Sequence, residues 1–156
     1  MRIAIVADHN GVDFKNRLVA HLVEHGHEVD DRGVDSNETI DYPPLCYDVS
    51  GEVLAGRAER AIVIGGTGSG EQMACNKIPG IRAALCHRGF IARISRANND
   101  SNVLVMGAKV IAPDVGEQIA SIWLATEFTG GRHERRLEQL AALERGEPLE
   151  RSDRGG

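Results

Sequence analysis

Strand-like runs recur along the chain at Ile3 to Ala7, His27 to Asp30, Ala61 to Ile64, Ala83 to Cys86 and Val103 to Met106. Most are apolar throughout, as expected for strands buried on both faces. Between them, apolar residues recur at spacings of three and four. Phe14, Leu18, Leu22 and Val23 share one helical face before Gly26 stops that helix, and Val49, Val53 and Leu54 mark the next. Ile91, Ile94 and Ser95 define a later helix, and Val115, Ile119, Ile122 and Trp123 another. Strands alternating with helices, joined by short glycine-bearing turns, predict an α/β fold, a doubly wound parallel sheet covered on both faces. A last helical segment, about Arg132 to Arg145, precedes GEPLERSDRGG, whose polar composition reads as a loose tail. One domain over residues 1–145 and a tail over 146–156 are expected.

Composition narrows the function. The chain has 156 residues, of which 42% are hydrophobic, enough for one proper core. Its formal charge of -5 disfavours a general affinity for nucleic acid or acidic membrane surfaces, so any basic site must be local. The opening MRIAIVADHNG is interrupted by Asp8 too soon for a signal peptide or a membrane span. Cys46, Cys75 and Cys86 lack C-x-x-C spacing and read as reduced, buried thiols. A soluble cytoplasmic protein is expected.

In a doubly wound sheet, ligands bind outside the carboxyl ends of the strands. Those ends carry Asp8 and His9, then Gly65 to Glu71, then His87, and the first two groups are the stronger candidates. The loop Gly66-Thr67-Gly68-Ser69-Gly70 lacks both the G-x-G-x-x-G of dinucleotide sites and the Lys-Ser/Thr of a P-loop. Its alternate glycines let backbone N–H groups converge where the helix N-terminus adds positive potential, a nest for a bound anion or a transient oxyanion. Glu71 stands in the first turn of the following helix. A carboxylate there is favourable against the helix dipole in any case, but beside an anion hole it also suits proton abstraction next to a carbonyl. Arg132 and Arg136 lie one turn apart on the last helix, and two guanidinium forks on one face match a phosphate dianion. The H-x-x-E-H spelling of His21 to His25 lies toward the amino ends of the strands, where His25 has an ordinary helix C-terminal role, and no metal site is assigned to it.

Asp8-His9, Asp41-Tyr42-Pro43, the GGTGSGE loop, Asn76-Lys77, Gly80-Ile81-Arg82-Ala83, Asn99-Asp100 and Gly130-Gly131-Arg132-His133 occur in this order. In these motifs the sequence closely resembles the ribose-5-phosphate isomerase B family, which includes the galactose-6-phosphate isomerase subunits, over about Met1 to Arg145. The resemblance implies a Rossmann-like three-layer sandwich with a five-stranded parallel sheet and a C-terminal helix. It also implies a homodimer or homotetramer with active sites between subunits, no cofactor and no metal, and aldose–ketose isomerisation of a sugar phosphate through an enediolate.

Carried over by resemblance, Glu71 is the base. Gly66, Thr67, Gly68, Ser69 and Gly70 form the enediolate hole, with Thr67 near the sugar oxygens. Asp8 and His9 contact the substrate, Tyr42 lines the pocket, and Arg132 and Arg136 hold the phosphate. One branch of the family uses a cysteine at the end of strand 3, but this chain has Gly65 there and resembles the glutamate branch. Lys109 stands where relatives commonly carry arginine, keeping the charge and losing the bidentate fork. Asn98 stands where relatives commonly carry a ring-opening histidine, just before Asn99, and an amide does not titrate. The helix marked by Ile91 and Ile94 returns to the amino ends of the strands before Asn98, so Asn98 and Asn99 are expected to serve a neighbouring subunit's site. Either Asp8 or His9 opens the sugar ring, or the substrate needs no opening, as with a tetrose 4-phosphate. Ribose 5-phosphate is the leading expectation. Other aldose phosphates, including a 6-phosphohexose, and a non-catalytic phosphate- or nucleotide-binding module are the alternatives.

Overall fold

A computed structural model describes residues 1–151. Five strands, β1 (Arg2–Ala7), β2 (Glu28–Asp31), β3 (Arg60–Gly65), β4 (Ala83–Leu85) and β5 (Val103–Gly107), form one sheet in the order β2-β1-β3-β5-β4. Every pair is parallel, with Ala7 opposite Ile64 and Gly65 opposite Gly107. Six helices complete the architecture: α1 (Val12–Glu24), α2 (Tyr42–Leu54), α3 (Ser69–Cys75), α4 (Gly89–Ala97), α5 (Pro113–Ala125) and α6 (Arg132–Glu144). The expected five-stranded parallel α/β sandwich with a C-terminal helix is the observed fold. Residues 152–156 of the expected tail lie outside the described residues.

Strand alternation sorts the core by size. Ile3, Ile5, Ile62, Ile64, Leu104 and Met106 face α1, α4 and α5. The intervening Ala4, Val6, Ala61, Val63, Val103 and Val105 face α2 and α3. Burying each large aliphatic side chain is worth about 1.5–3 kcal/mol. The smaller residues on the other face let α2 and α3 lie close to the sheet, and that brings α3 over the end of β3.

The helices bury faces slightly rotated from those read in the sequence. Val23, Leu54, Ile91 and Val115 are exposed, and α4 buries the expected Ser95 together with Ala92 and Arg96. Arg96 is held inside by its bonds to Asp100, Ser101 and Thr126, so a charged residue occupies a core-facing position that the apolar spacing did not assign. Trp123, fully buried on α5, donates its indole N–H to Ser101 Oγ at 2.8 Å and lies beneath the guanidiniums of Arg60 and Arg96. Burial lowers the Arg60 guanidinium to about 10, and its N–H groups donate to the last carbonyls of α5.

The sheet has two edge strands, β2 and β4, and the β4 edge is covered by side chains. The side chain of Asn76 pairs with β4, exchanging bonds of 2.9 and 2.8 Å with the Ala83 carbonyl and amide. Asn102 does the same for the Gly80 carbonyl and the Arg82 amide.

Gly116 on α5 sits against the ring of Phe14 on α1, and a Cβ there would overlap the ring. Gly116→Ala should therefore destabilise the protein by about 1–3 kcal/mol, seen as a lower denaturant midpoint with an unchanged slope. An unchanged midpoint would mean that α1 and α5 separate at no cost.

Candidate active site

The site is built where β1 and β3 end side by side. The Asp8 amide donates to the Ile64 carbonyl at 3.1 Å, which carries the ladder one residue beyond β1 and brings Asp8 beside Gly65. Outward connections diverge here, to α1 from one strand and to α3 from the other, so a crevice opens at the switch point. Asp8 is buried, with 6% of its surface exposed.

From Gly65 the chain turns through Gly66, Thr67 and Gly68 into α3. Gly68 has a φ of 83°, in the left-handed region, and a Cβ on it would press on Leu85 and the Met106 carbonyl. Ser69 N–H is received by Thr67 Oγ1 at 3.3 Å. Among the described residues the N–H groups of Gly66, Thr67 and Gly68 find no backbone acceptor, so three donors remain available at the start of a helix.

Glu71, in the first turn of α3, folds back over the end of β3. A Cβ on Gly65 would overlap its carboxyl group. The glycine is thus a steric condition for the glutamate, because a side chain on residue 65 and the Glu71 carboxylate need the same space. Glu71 is 5% exposed, and its carboxyl lies above the usual carboxylate range. Burial is the main cause, the negative charge of Asp8 adds to it, and the residue's own backbone N–H opposes it.

Other predicted residues gather around this centre. Tyr42 lies across Gly70, where a Cβ would come within 2.6 Å of the phenol oxygen. Lys109 is tied to the glycine loop by its amide, which donates to the Gly66 carbonyl at 2.9 Å, and its side chain passes beside Gly66. His9 Nδ1 faces the Ile40 amide at 3.4 Å. The loop that bears Ile40 and leads into α2 at Tyr42 is anchored at its start by fully buried Lys15, whose Nζ meets Asp31 at 2.6 Å and Asp35 at 3.3 Å. His87 follows β4, two strands from β3 in the sheet order.

Asn98, Asn99, Arg132 and Arg136 do not join this group within one chain. Asn98 caps the end of α4, and the Asn99 carbonyl accepts from Arg82 just before β4, so both lie at the amino ends of the strands. The chain leading into α6 is pinned there too, with Thr129 N and Oγ1 both donating to the Ala97 carbonyl. Arg132 and Arg136 begin α6 as exposed residues, and Arg136 contacts His133 Nδ1 at 3.4 Å.

Asn10 and Lys15 were not anticipated from sequence. Asn10 donates to both oxygens of Asp8, and its only signal was adjacency to Asp8-His9. Lys15 sits on a helix face where a lysine ordinarily reads as solvated. The three cysteines are free and buried. The hydrogen bond to Cys75 and burial push the Cys46 thiol up, and burial pushes Cys86 up to about 11. Near the sequence H-x-x-E-H, His21 bonds Ser121 on α5, and His25 Nδ1–H donates to the His21 carbonyl at 2.7 Å.

A buried carboxylate, an adjacent nest of free amides and a doubly wound sheet define an α/β enzyme suited to moving a proton beside a carbonyl. Residues 3–140 match the family model described as Ribose/Galactose Isomerase, and the chain belongs to that family. Ribose-5-phosphate isomerase B of Escherichia coli strain K12 is 42% identical over 143 residues, covering 92% of this chain and 96% of that one. D-erythrulose-4-phosphate isomerase of Pectobacterium atrosepticum is 35% identical over 145 residues, covering 92% and 95%. The structure of Clostridium thermocellum ribose-5-phosphate isomerase B superposes with a TM-score of 0.92 at 42% identity, covering 94% of this chain and 99% of that one. The protein is accordingly a sugar-phosphate isomerase, and the alternative of a non-catalytic binding module is set aside.

The Glu71 environment has a consequence for stability. Its pKa is raised on folding, so ionisation costs stability as pH rises from the unfolded value through the folded one, and that cost persists at neutral pH. Glu71→Gln removes an ionisation that the fold disfavours. The variant should unfold at the same or a higher temperature than the wild type at neutral pH, with the gap closing below the ordinary glutamate range. A variant that is less stable at neutral than at acid pH, relative to the wild type, would contradict this environment.

Proposed function

We propose that the enzyme interconverts ribose 5-phosphate and ribulose 5-phosphate through a cis-enediolate, with Glu71 moving the proton between C1 and C2. The observation that carries this reading is the Glu71 carboxyl, buried over Gly65 beside the unpaired amides of Gly66, Thr67 and Gly68. A raised carboxyl pKa suits a group that must both take and return a proton. The loop amides and Thr67 receive the oxygen that becomes negative as the proton leaves. Asp8 and His9 hold sugar hydroxyls, Tyr42 closes one side, and Ser69 and Gly70 complete the loop. Lys109, Arg132 and Arg136 hold the phosphate.

Asn98, Asn99, Arg132 and Arg136 lie away from Glu71 in their own chain, which supports a site completed by a second subunit. A groove of about 650 Å³ between α6, α4 and the β4 edge, with Leu140 and Leu143 on its rim, supports the same assembly. Among the described residues no helix is long and apolar enough to cross a membrane, and with three free cysteines this suits a cytoplasmic enzyme.

A tetrose 4-phosphate is the second reading. Asn98 has no titratable group with which to open a furanose, and a relative of 35% identity is named D-erythrulose-4-phosphate isomerase. A tetrose phosphorylated at its terminal oxygen forms no furanose and needs no opening.

Purified enzyme offered ribose 5-phosphate and erythrose 4-phosphate should turn over the pentose, and no pentose turnover would overturn the leading reading. Glu71→Gln should lower kcat by about three orders of magnitude or more while an enediolate analogue still binds. In a shared site, Glu71→Gln and Arg136→Ala subunits complement each other. Mixing them should restore about a quarter of wild-type turnover, the share that random pairing into symmetric dimers gives. Absence of recovery would mean that each chain builds its site alone.

A further inference from the structure

Asn10 follows Asp8 and His9 on the loop that leaves β1, and both of its amides act inside the crevice. Its backbone N–H donates to Oδ1 of Asp8 at 2.8 Å, and its side-chain Nδ2 donates to Oδ2 of the same carboxylate at 3.0 Å. Nδ2 also lies 3.4 Å from Nε2 of His9 and 3.3 Å from the place a Cβ on Gly66 would take. One carboxamide therefore touches both residues that face the sugar and the entry to the glycine loop. The backbone bond is an ordinary aspartate turn, and that turn needs no side chain on residue 10. The side-chain bond is a separate constraint.

Its effect is to divide labour between two carboxylates. Asp8 has a donor on each oxygen, and both come from Asn10. Glu71 has no side-chain donor among the described residues and receives only its own backbone N–H. Both carboxylates are buried, and Asp8 acts on Glu71 as a fixed negative charge. Paired carboxylates take different roles when their surroundings differ in this way.

We propose that Asn10 is a positioning residue of the sugar site: its side-chain NH2 locks Asp8 in one orientation against His9, so that both present fixed polar atoms to the sugar hydroxyls and Glu71 is left to exchange the proton. This rests on the isomerase site described above and adds a residue to it. The side chain acts through Asp8, beside His9, and its value lies in being a donor to that carboxylate.

Two variants separate this role from packing. Asn10→Asp keeps the shape but sets a carboxylate oxygen against Asp8, whereas Asn10→Ala removes the donor without adding charge. Both retain the backbone bond. Asn10→Ala should lower kcat/KM about tenfold and Asn10→Asp about a hundredfold or more, in line with losing a charge-assisted bond and with adding a buried repulsion. A residue that merely fills space gives the reverse order, because the near-isosteric aspartate is tolerated and alanine leaves a hole. That order, or wild-type kinetics in Asn10→Asp, overturns the proposal.

Turnover is measured on whichever of ribose 5-phosphate and erythrose 4-phosphate the wild-type enzyme converts faster. Calorimetry with a linear phosphosugar hydroxamate, a mimic of the enediolate, reads the same order without catalysis. If the wild type converts neither sugar but binds the hydroxamate, the substrate reading fails, and the affinity order of the variants still decides the role of Asn10. No binding by the wild type overturns both.

Discussion

The site depends on one steric exclusion. The space above the last residue of β3 holds either a side chain on residue 65 or the carboxyl of Glu71. Gly65 leaves it to Glu71, and the other local features follow from that placement. Folding back over the strand end removes the carboxyl from water and raises its pKa. It also brings the carboxyl beside the amides of the turn that delivered it, so that a buried carboxylate and a set of free N–H groups come from a single strand-to-helix connection.

That connection is held from below by the packing of the sheet. Alanine and valine on the α2–α3 face allow a close approach, and larger aliphatics fill the α1–α5 face. Asp8 reaches Gly65 because the β1–β3 ladder continues one residue past β1. Buried Lys15 anchors the loop that faces His9 and carries Tyr42 over Gly70. A lysine deep in an α/β core is costly unless paired. Here its two carboxylate partners fix a loop that otherwise has no regular structure to hold it.

Strand positions, the parallel sheet and the start of α3 were readable, because fully buried strands leave apolar runs and left-handed turns require glycine. The placement of Glu71 beside a glycine nest was readable for the same reason. Burial within the helices was less so. Arg96 is buried on α4 because it satisfies four groups at once, the Thr126 and Ser101 carbonyls, Asp100 and the face of Trp123. Periodicity ranks residues by polarity and has no term for such partners. Asn10 escaped notice because its importance lies in which atoms it meets and not in its type.

The sequence by itself determined the sheet, the family and the set of chemical groups, because strand hydrophobicity, glycine turns and residue identity are local properties. The tertiary structure decided which of those groups meet. It set Glu71 over Gly65 and Asn10 against Asp8, and it left Asn98, Asn99, Arg132 and Arg136 at the amino ends of the strands. Those outcomes depend on strand order and helix direction, which bring together residues far apart in the chain and separate others that the sequence had grouped by chemistry alone.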